Sequence, residues 1–414
     1  MFTLALAGCA GQYPLMPEAP VPSPILGNAP PASAPASIGR TTGPVALLLP
    51  LSGPLAPLGQ ALENAAKLAL SGPGAPTLDI RDTQGSPQAA AQAAQAAIAA
   101  GDGLILGPLT SAETKAVAPV AAAAGVNVLA FTNDGTAASP GVWPLGITPG
   151  EQVRRVIGYA ADQGRTRVAA LLPQSDYGQS LGQAVREQAQ SLSEPAPDIA
   201  YYQGSFASLT QTVKSLSDFA DRGESIEAEI RKARDQDNQA GRLKARELER
   251  QPIPPPPFDA LFIAANGETL AEIGTLLPYY DAGAPQVQLL GPALWAGNAA
   301  GIGTQSALRG ALYAAPDPAS RAAFLAKYQS VYGAPPPAVA DVAFDAAAIA
   351  RLAAGQGGYT TEVLTNPSGF AGTDGVLVLL ANGHVMRGLA VFKIQSGGPE
   401  MVAPSPTSLS APAS

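Results

Sequence analysis

The chain is poor in the residues that most enzymes and metal sites need. Its 414 residues include one cysteine, Cys9, and one histidine, His384. A single cysteine excludes a disulfide framework and a cysteine-based zinc site, and a single histidine excludes a zinc-binding histidine pair. A Ser-His-Asp triad would depend on His384, which follows the turn-forming pair Asn382-Gly383 and is expected to be solvated. We therefore expect no metal, no cofactor and no enzymatic activity.

Charge and long apolar runs are also scarce. Charged residues make up 14% of the chain, and the net charge is −8. Proteins that bind DNA or RNA need clustered Lys and Arg, so this composition argues against a nucleic-acid partner. The sequence has no run of 18 or more apolar residues, so it contains no candidate membrane-spanning helix.

The first residues predict secretion and lipid attachment. Leu6-Ala7-Gly8-Cys9 resembles a bacterial lipobox, in which the peptide is cut before a cysteine that then carries the lipid. Eight preceding residues are fewer than a full signal needs, which favours an upstream start codon. Residues 10–43 hold eight prolines and only two charges, so we expect an unfolded Pro/Ala-rich tether. Ala10, in place of an aspartate, favours the periplasmic face of the outer membrane of a Gram-negative bacterium.

Alternating strand and helix patterns predict an α/β fold. Short apolar runs alternate with Ala-rich helical stretches, and the pattern restarts after Thr148-Pro149-Gly150. This alternation indicates βαβ units, and continuous apolar strands indicate parallel sheets that are covered on both faces. The predicted strands are Val45–Leu49, Leu78–Arg81, Leu104–Leu106, Val126–Phe131, Val168–Leu172, Ile199–Gln203, Ala260–Ala264 and Val287–Leu290. We expect two doubly wound parallel-sheet lobes joined by a multi-strand hinge, with a C-terminal β-hairpin.

The same pattern predicts where each segment begins and ends. The expected segments are the lipobox at 1–9, the tether at 10–43, the first lobe at 44–148 and about 311–355, the second lobe at 149–310, a C-terminal segment at 356–395 and a disordered tail at 396–414. The chain should cross between lobes near 148 and 310, with a further crossing near 350. The hairpin should pair Val376–Leu380 with Leu389–Ile394 around Asn382-Gly383.

The segment 214–257 differs sharply from the rest of the chain. Between Lys214 and Arg250 lie nine basic and nine acidic residues, and Pro254–Pro257 then follows. Opposite charges four residues apart, such as Glu227 and Arg231, favour an exposed helix. The segment is either a solvated helical excursion or a protein-docking element of the second lobe.

Polar residues follow the predicted strands at positions that a parallel sheet brings to one edge, where ligands bind in such folds. Glycine allows close approach of the backbone, and Ser or Thr at a helix start offers a hydroxyl and free N–H groups. The same residues also serve as ordinary helix caps. The candidate ligand-binding residues are Ser52, Gly53, Thr110, Ser111, Thr132, Asn133, Asp176, Tyr177, Asn266 and Trp295.

These loops resemble those of type I periplasmic binding proteins of the branched-chain amino-acid receptor group. Pro50-Leu51-Ser52-Gly53-Pro54 is similar to the first signature of that family, and Gly107–Ser111, Thr132-Asn133 and Asp176-Tyr177-Gly178 follow in its order. The resemblance implies a hinge of three crossings and a cleft that closes on a small molecule. It also implies that Ser111 and Thr132 hold a substrate carboxylate.

The chain departs from the amino-acid binders where they hold the ammonium group. Their carboxylate-bearing turn reads Gly291-Pro292-Ala293-Leu294-Trp295 here, and their strand-end tyrosine is replaced by Ala265-Asn266-Gly267. A buried ammonium without a counter-charge is costly, which argues against amino-acid binding. Substitution by Asp176 or Glu268 remains an open alternative.

A second resemblance is to lipoproteins known as penicillin-binding-protein activators. It is carried by the lipobox and tether, the charged segment, and the runs Leu276–Tyr280, Ala315–Pro318 and Leu364–Phe370. The helical-repeat domain of the best-known member has no counterpart in residues 10–43. The resemblance implies a non-enzymatic, lipid-anchored regulator of peptidoglycan synthesis that contacts a penicillin-binding protein. The alternative is a receptor that delivers an amino acid or similar small anion to an ABC importer.

Overall fold

The computed structural model describes residues 43–236, 238–251 and 253–409. Cys9 and nearly all of the tether lie outside these residues, so the predictions made for them stay predictions. Within the described part of the chain, no helix has both the length and the apolar character to cross a membrane.

The first lobe begins with five strands that alternate with helices. These elements are β1 (Val45–Leu49), α1 (Ala56–Ala69), β2 (Leu78–Asp82), α2 (Pro87–Ala100), β3 (Leu104–Leu106), α3 (Ser111–Ala123), β4 (Asn127–Ala130) and β5 (Val142–Pro144). They form a parallel sheet in the order β2-β1-β3-β4-β5. Leu47 and Leu48 are both fully buried, in separate clusters on opposite faces of the sheet, which is why β1 is apolar throughout.

The second lobe repeats this arrangement. Its elements are α4 (Pro149–Asp162), β6 (Val168–Pro173), α5 (Asp176–Ser191), β7 (Asp198–Tyr202), α6 (Phe206–Leu216), α7 (Phe219–Arg234), α8 (Gln239–Leu248), β8 (Ala260–Ile263), α9 (Gly267–Tyr279), β9 (Gln288–Gly291), α10 (Ala299–Gly303) and β10 (Leu312–Ala315). The strands β10-β9-β8-β6-β7 lie side by side and pair in parallel. The two predicted lobes are therefore present.

The remaining chain serves both lobes. It forms α11 (Pro318–Tyr332), α12 (Ala340–Gly355), α13 (Thr361–Leu364), β11 (Phe370–Gly372), β12 (Gly375–Leu379), β13 (Val385–Arg387), β14 (Ala390–Gln395) and β15 (Gly398–Ala403). Helices α11 and α12 pack into the first-lobe core through residues such as Phe324 and Ala346. Strands β14 and β15 extend the second-lobe sheet antiparallel to β10 and to each other.

Two predicted boundaries were wrong. Because β10 pairs with β9, the second lobe continues to Ala315, and the chain returns to the first lobe at about 316 rather than 310. The last crossing lies near Gly388, between β13 and β14, rather than near 350. Apolar periodicity identifies a strand but not the sheet edge that accepts it, so these crossings were not visible in the sequence.

The C-terminal hairpin was predicted only in part. Strands β12 and β13 pair antiparallel around Asn382-Gly383, as expected. The run predicted as the second hairpin strand instead supplies β14 of the other lobe. Residues 398–403, predicted to be disordered, form β15 and pair with β14.

The charged segment folds as a pair of helices, α7 and α8, which we call the α7–α8 arm (Phe219–Leu248). Ala233, Ala245 and Leu248 form a small buried cluster between its helices. At its base, the buried Arg222 donates hydrogen bonds to the carbonyl oxygens of Pro254 (2.6 Å) and Tyr280 (2.7 Å). The arm is therefore fastened to the second lobe rather than loosely attached.

Ending the chain after Gly397 should destabilise the second lobe, because it removes β15 and its hydrogen bonds to β14. Val402 and Ala403 are half-buried against the second-lobe core. Their loss should lower the free energy of unfolding by about 1–3 kcal/mol. Thermal or urea unfolding would measure this. A chain ending at Leu409 retains β15 and serves as the control; equal stability of the two truncated chains would contradict the prediction.

Candidate ligand-binding cleft and hinge

The carboxyl ends of the first-lobe strands carry six of the predicted binding residues. Ser52 and Gly53 follow β1 and are exposed, and Gly53 has a positive φ of 74° that favours glycine. Thr110 caps α3 through a reciprocal pair of contacts with Glu113. Thr132 is buried and accepts a hydrogen bond from the backbone N–H of Asp134 (3.1 Å). Two of the predicted first-lobe hydroxyls thus hold backbone in place, whereas the neighbouring Asn133 is exposed.

Ser111 already binds a carboxylate, which comes from the chain itself. Its hydroxyl donates a hydrogen bond to Oδ2 of Asp134, and the Lys115 ammonium lies 3.0 Å from the same oxygen. Thr136 donates to Oδ1 through its backbone N–H (2.9 Å) and its hydroxyl (2.7 Å). Asp134 and Lys115 were absent from the candidate residues. The sequence placed Asp134 next to Thr132-Asn133 but gave no sign that it reaches α3.

In the second lobe, Asp176, Tyr177 and Asn266 are exposed at the ends of β6 and β8. Asn266 stands at the start of α9 without a side-chain capping bond. These three side chains are therefore accessible to a ligand in the cleft. The exposed carboxylate of Glu268 lies in the first turn of α9.

Trp295 does not belong among the ligand-binding residues. Its side chain is fully buried, and its indole N–H donates a hydrogen bond to the Ala265 carbonyl (2.9 Å). The ring lies against Gly291, where an added Cβ would approach it to 2.4 Å. The loop after β9 therefore directs its tryptophan into the core, while the neighbouring Leu294 is 57% exposed.

A cavity of about 580 Å³ lies where the lobes meet the hinge. It is lined by Thr136 and Pro144 of the first lobe, by Thr148 at the crossing, by Arg154 and Gln183 of the second lobe, and by His384 at the hairpin tip, among others. None of the ten candidate residues lines it. His384, expected to be merely solvated, is exposed at the rim of this cavity.

A buried charge cluster, centred on Arg387, holds the hinge. The Arg387 side chain is 1% exposed and faces three carboxylates: Glu151 at 3.6 Å, Asp374 at 3.8 Å and Asp345 at 3.9 Å. Arg387 also donates a hydrogen bond to the Leu145 carbonyl at the first crossing. Glu151 lies in the first turn of α4 of the second lobe, whereas Asp345 and Asp374 belong to the first lobe. The cluster therefore joins the two lobes across the first and last crossings.

The second crossing has its own ion pair. Arg321, in the first turn of α11, binds both carboxylate oxygens of Asp341 on α12. Arg387 and Arg321 together face four carboxylates, and Arg154 also favours the charged form of Glu151. Burial raises the pKa of Asp345 to about 7, although Arg387 and the backbone N–H of Thr373 oppose that rise. Burial likewise raises the pKa of Glu151.

The cleft and the hinge offer groups for binding a ligand and for taking up protons. Among the residues that the structure describes, no three His, Cys, Asp or Glu side chains are grouped so that they could hold a metal ion. The site offers two chemical capacities. One is the recognition of a small polar group between the lobes, and the other is a hinge whose charge depends on proton uptake.

Comparison with known proteins identifies the family. The family model described as "Periplasmic binding protein" matches residues 43–399. The chain belongs to the periplasmic binding protein family. Among solved structures, this binding protein is similar to a putative branched-chain amino acid ABC transporter from Rhodospirillum rubrum (TM-score 0.64, 17% identity, 87% of this chain and 100% of that one). It is also similar to the C-domain of LpoA from Haemophilus influenzae (TM-score 0.61, 19% identity, 87% and 100%).

Curated relatives match over shorter stretches. The penicillin-binding protein activator LpoA of Mannheimia succiniciproducens is 29% identical over 160 residues, which is 38% of this chain and 28% of that protein. An uncharacterised protein of Rickettsia prowazekii is 26% identical over 178 residues, 43% of this chain and 48% of that protein. The matched stretches thus span less than half of either relative.

Asp345→Asn should change how the stability of this binding protein depends on pH. The pKa of Asp345 is about 7 in the folded state, well above its usual range. Folding therefore favours the protonated form, and the free energy of unfolding should fall as the pH rises from about 4 to about 7. The asparagine cannot ionise, so the variant should show a smaller fall. Unfolding curves between about pH 4 and pH 8 would test this; an unchanged slope would contradict it.

Arg387→Met should destabilise the protein strongly, because Glu151, Asp345 and Asp374 would lose their shared counter-charge. Breaking a buried ion pair costs about 3–5 kcal/mol. The loss should be smaller at about pH 5 than at about pH 8, since protonated carboxyls need no partner. Arg231→Met is the control, because Arg231 is 66% exposed in the α7–α8 arm and should be nearly neutral. Equal losses in both variants, measured by urea unfolding, would refute this role of Arg387.

Proposed function

We propose that this protein is a non-catalytic periplasmic regulator that acts by binding a peptidoglycan synthase of the penicillin-binding protein kind. The α7–α8 arm carries the proposal. It projects a dense set of both charges from a second lobe that is otherwise poor in charge. A surface of this kind suits a polar, reversible contact with another protein.

The contacts at the base of the α7–α8 arm favour a role in binding a protein partner over that of a helical insertion that only contacts solvent. Phe219 packs edge-on against Tyr280, with ring centroids 5.1 Å apart, and Arg222 fastens the same base to two carbonyl oxygens. An arm held in one orientation loses less entropy when it binds than a loose one does. Near the middle of α8, Leu243 is 59% exposed among charged neighbours. It is a suitable apolar anchor for a partner.

The relatives support the choice of partner. LpoA of Mannheimia succiniciproducens is a penicillin-binding protein activator, and the Haemophilus influenzae C-domain is described as a regulator of PBP1A. The first is similar to this chain in sequence and the second in fold. On this basis we extend the regulator function to this chain as a proposal. The proposal places the protein in the periplasm, anchored by lipid on Cys9 to the outer membrane.

The alternative function is solute reception for an ABC importer. The cavity of about 580 Å³ between the lobes and the similarity to the Rhodospirillum rubrum protein favour it. Two observations weigh against an amino acid as the solute. The hydroxyl of Ser111 is engaged by Asp134, and the loop after β9 has the half-buried Ala293 where an acidic group would be needed.

Replacing residues 223–250 by a short Gly-Ser linker should leave the fold intact and weaken partner capture. The deletion spares Phe219 and Arg222, so the base of the arm keeps its aromatic contact and its hydrogen bonds. We expect immobilised wild-type protein to retain a purified penicillin-binding protein of the same bacterium, and the variant to bind it about tenfold more weakly or worse. Leu243→Asp should weaken binding in the same direction.

The matched control is Val331→Asp on α11, where the side chain is 57% exposed and lies outside the arm. It should bind as the wild type does. Equal binding by the arm-deleted and wild-type proteins would remove the arm from the contact. The receptor function would be favoured by two results together. The wild type would fail to retain a penicillin-binding protein, and a free solute would raise its melting temperature in a saturable manner.

A further inference from the structure

The carboxylate of Asp134 makes two sets of contacts that differ in kind. Its Oδ1 accepts from the N–H and the hydroxyl of Thr136, two residues along the chain, which is an ordinary local turn. Its Oδ2 is bound instead by Ser111 and Lys115, which lie 23 and 19 residues away on α3. A turn at Asp134 requires only the first set.

The second set has the composition of a carboxylate-binding site. One hydroxyl donor and one ammonium converge on a single oxygen, and charge-assisted bonds of this type are about twice as strong as neutral ones. The Asp134 side chain is 30% exposed, so the site opens towards solvent at the carboxyl ends of β3 and β4. A molecule in the cleft could reach these donors if Asp134 did not occupy them.

We propose that Ser111 and Lys115 form a binding site for a small carboxylate, and that the chain fills this site with the side chain of Asp134. Asp134 is then a specificity-determining residue. While it is in place, a free carboxylate is excluded from these two donors.

The ionisation of Asp134 agrees with this assignment. Partial burial by itself would raise its pKa, but the hydrogen bonds from Ser111, Thr136 and Lys115 outweigh that effect. They hold the pKa of Asp134 well below its usual range. The donors therefore favour a carboxylate in its charged form, which is also the form of acetate and of amino acids at neutral pH.

The test is chemical rescue with acetate. Asp134→Ala should lower the melting temperature of the protein, because Ser111 and Lys115 lose their common acceptor. Sodium acetate should then raise it in a saturable manner by a few degrees, as expected for a ligand present well above its Kd. Acetamide, and sodium chloride at the same ionic strength, should not. The wild type should gain nothing specific from acetate.

Three variants sharpen the result. Asp134→Ser keeps a hydroxyl that can accept from Thr136, so it preserves the turn if the alanine variant folds poorly, and acetate should rescue it too. Asp134→Asn fills the site with a neutral group of the same size and should not respond. Adding Ser111→Ala to the serine variant should abolish the rescue. The proposal is overturned if neither the alanine nor the serine variant responds to acetate, or if the wild type responds equally.

This inference does not depend on the proposed function. The rescue is measured on the protein alone, whereas the regulator function is measured by capture of a synthase. A protein that captures the synthase but shows no rescue would keep its function and lose this site. Rescue without capture would leave the site intact and remove the regulator.

Discussion

The buried pairing of Arg387 with carboxylates from both lobes is the interaction on which the rest of the structure depends. Two separate sheets become one molecule only where the chain crosses between them, and those crossings are narrow. Arg387 lies directly before the last crossing and faces Glu151 just after the first. Near the remaining crossing, Arg321 and Asp341 join α11 to α12. Moving the lobes apart would leave Arg387 or its carboxylates buried without a partner, which is costly. The charge cluster therefore restrains the relative position of the lobes more tightly than apolar contacts would.

The buried carboxyls at this hinge give the molecule a property beyond rigidity. Because burial raises the pKa of Asp345 and Glu151, proton uptake alters the charge balance at the place where the lobes would move. The cleft lies beside this hinge, and its first-lobe edge is occupied by Asp134 rather than open to an anion. The α7–α8 arm lies on the second lobe, separate from both. The fold therefore combines a cleft edge at which Ser111 is engaged by Asp134 with a charged helical arm on the exterior of the second lobe.

Much of the fold could be predicted from local pattern, and most of the site could not. The strands Val45–Leu49 and Val168–Leu172 are unbroken apolar runs between turn residues, so both were placed within one residue. Trp295 was misjudged because an aromatic residue in a strand-end loop has no periodicity to show its direction; only the packing against Gly291 and the hydrogen bond to Ala265 turn it inward. Asp134 and Lys115 were missed because they are 19 residues apart and meet only through the pairing of β3 with β4.

The sequence by itself determined the class of the fold: its alternating apolar strands indicate a two-lobed α/β protein, and its charged segment 214–257 indicates an exposed helical element. The binding-protein family was indicated by the resemblance of the loops that follow the strands. The tertiary structure alone decided which sheet received β10 and β14, which carboxylates gathered around Arg387, and which acceptor Ser111 obtained. The physical reason is the separation along the chain between the residues that interact. Periodicity and turn chemistry act over a few neighbouring residues, whereas strand order and charge pairing depend on contacts between residues that lie far apart along the chain.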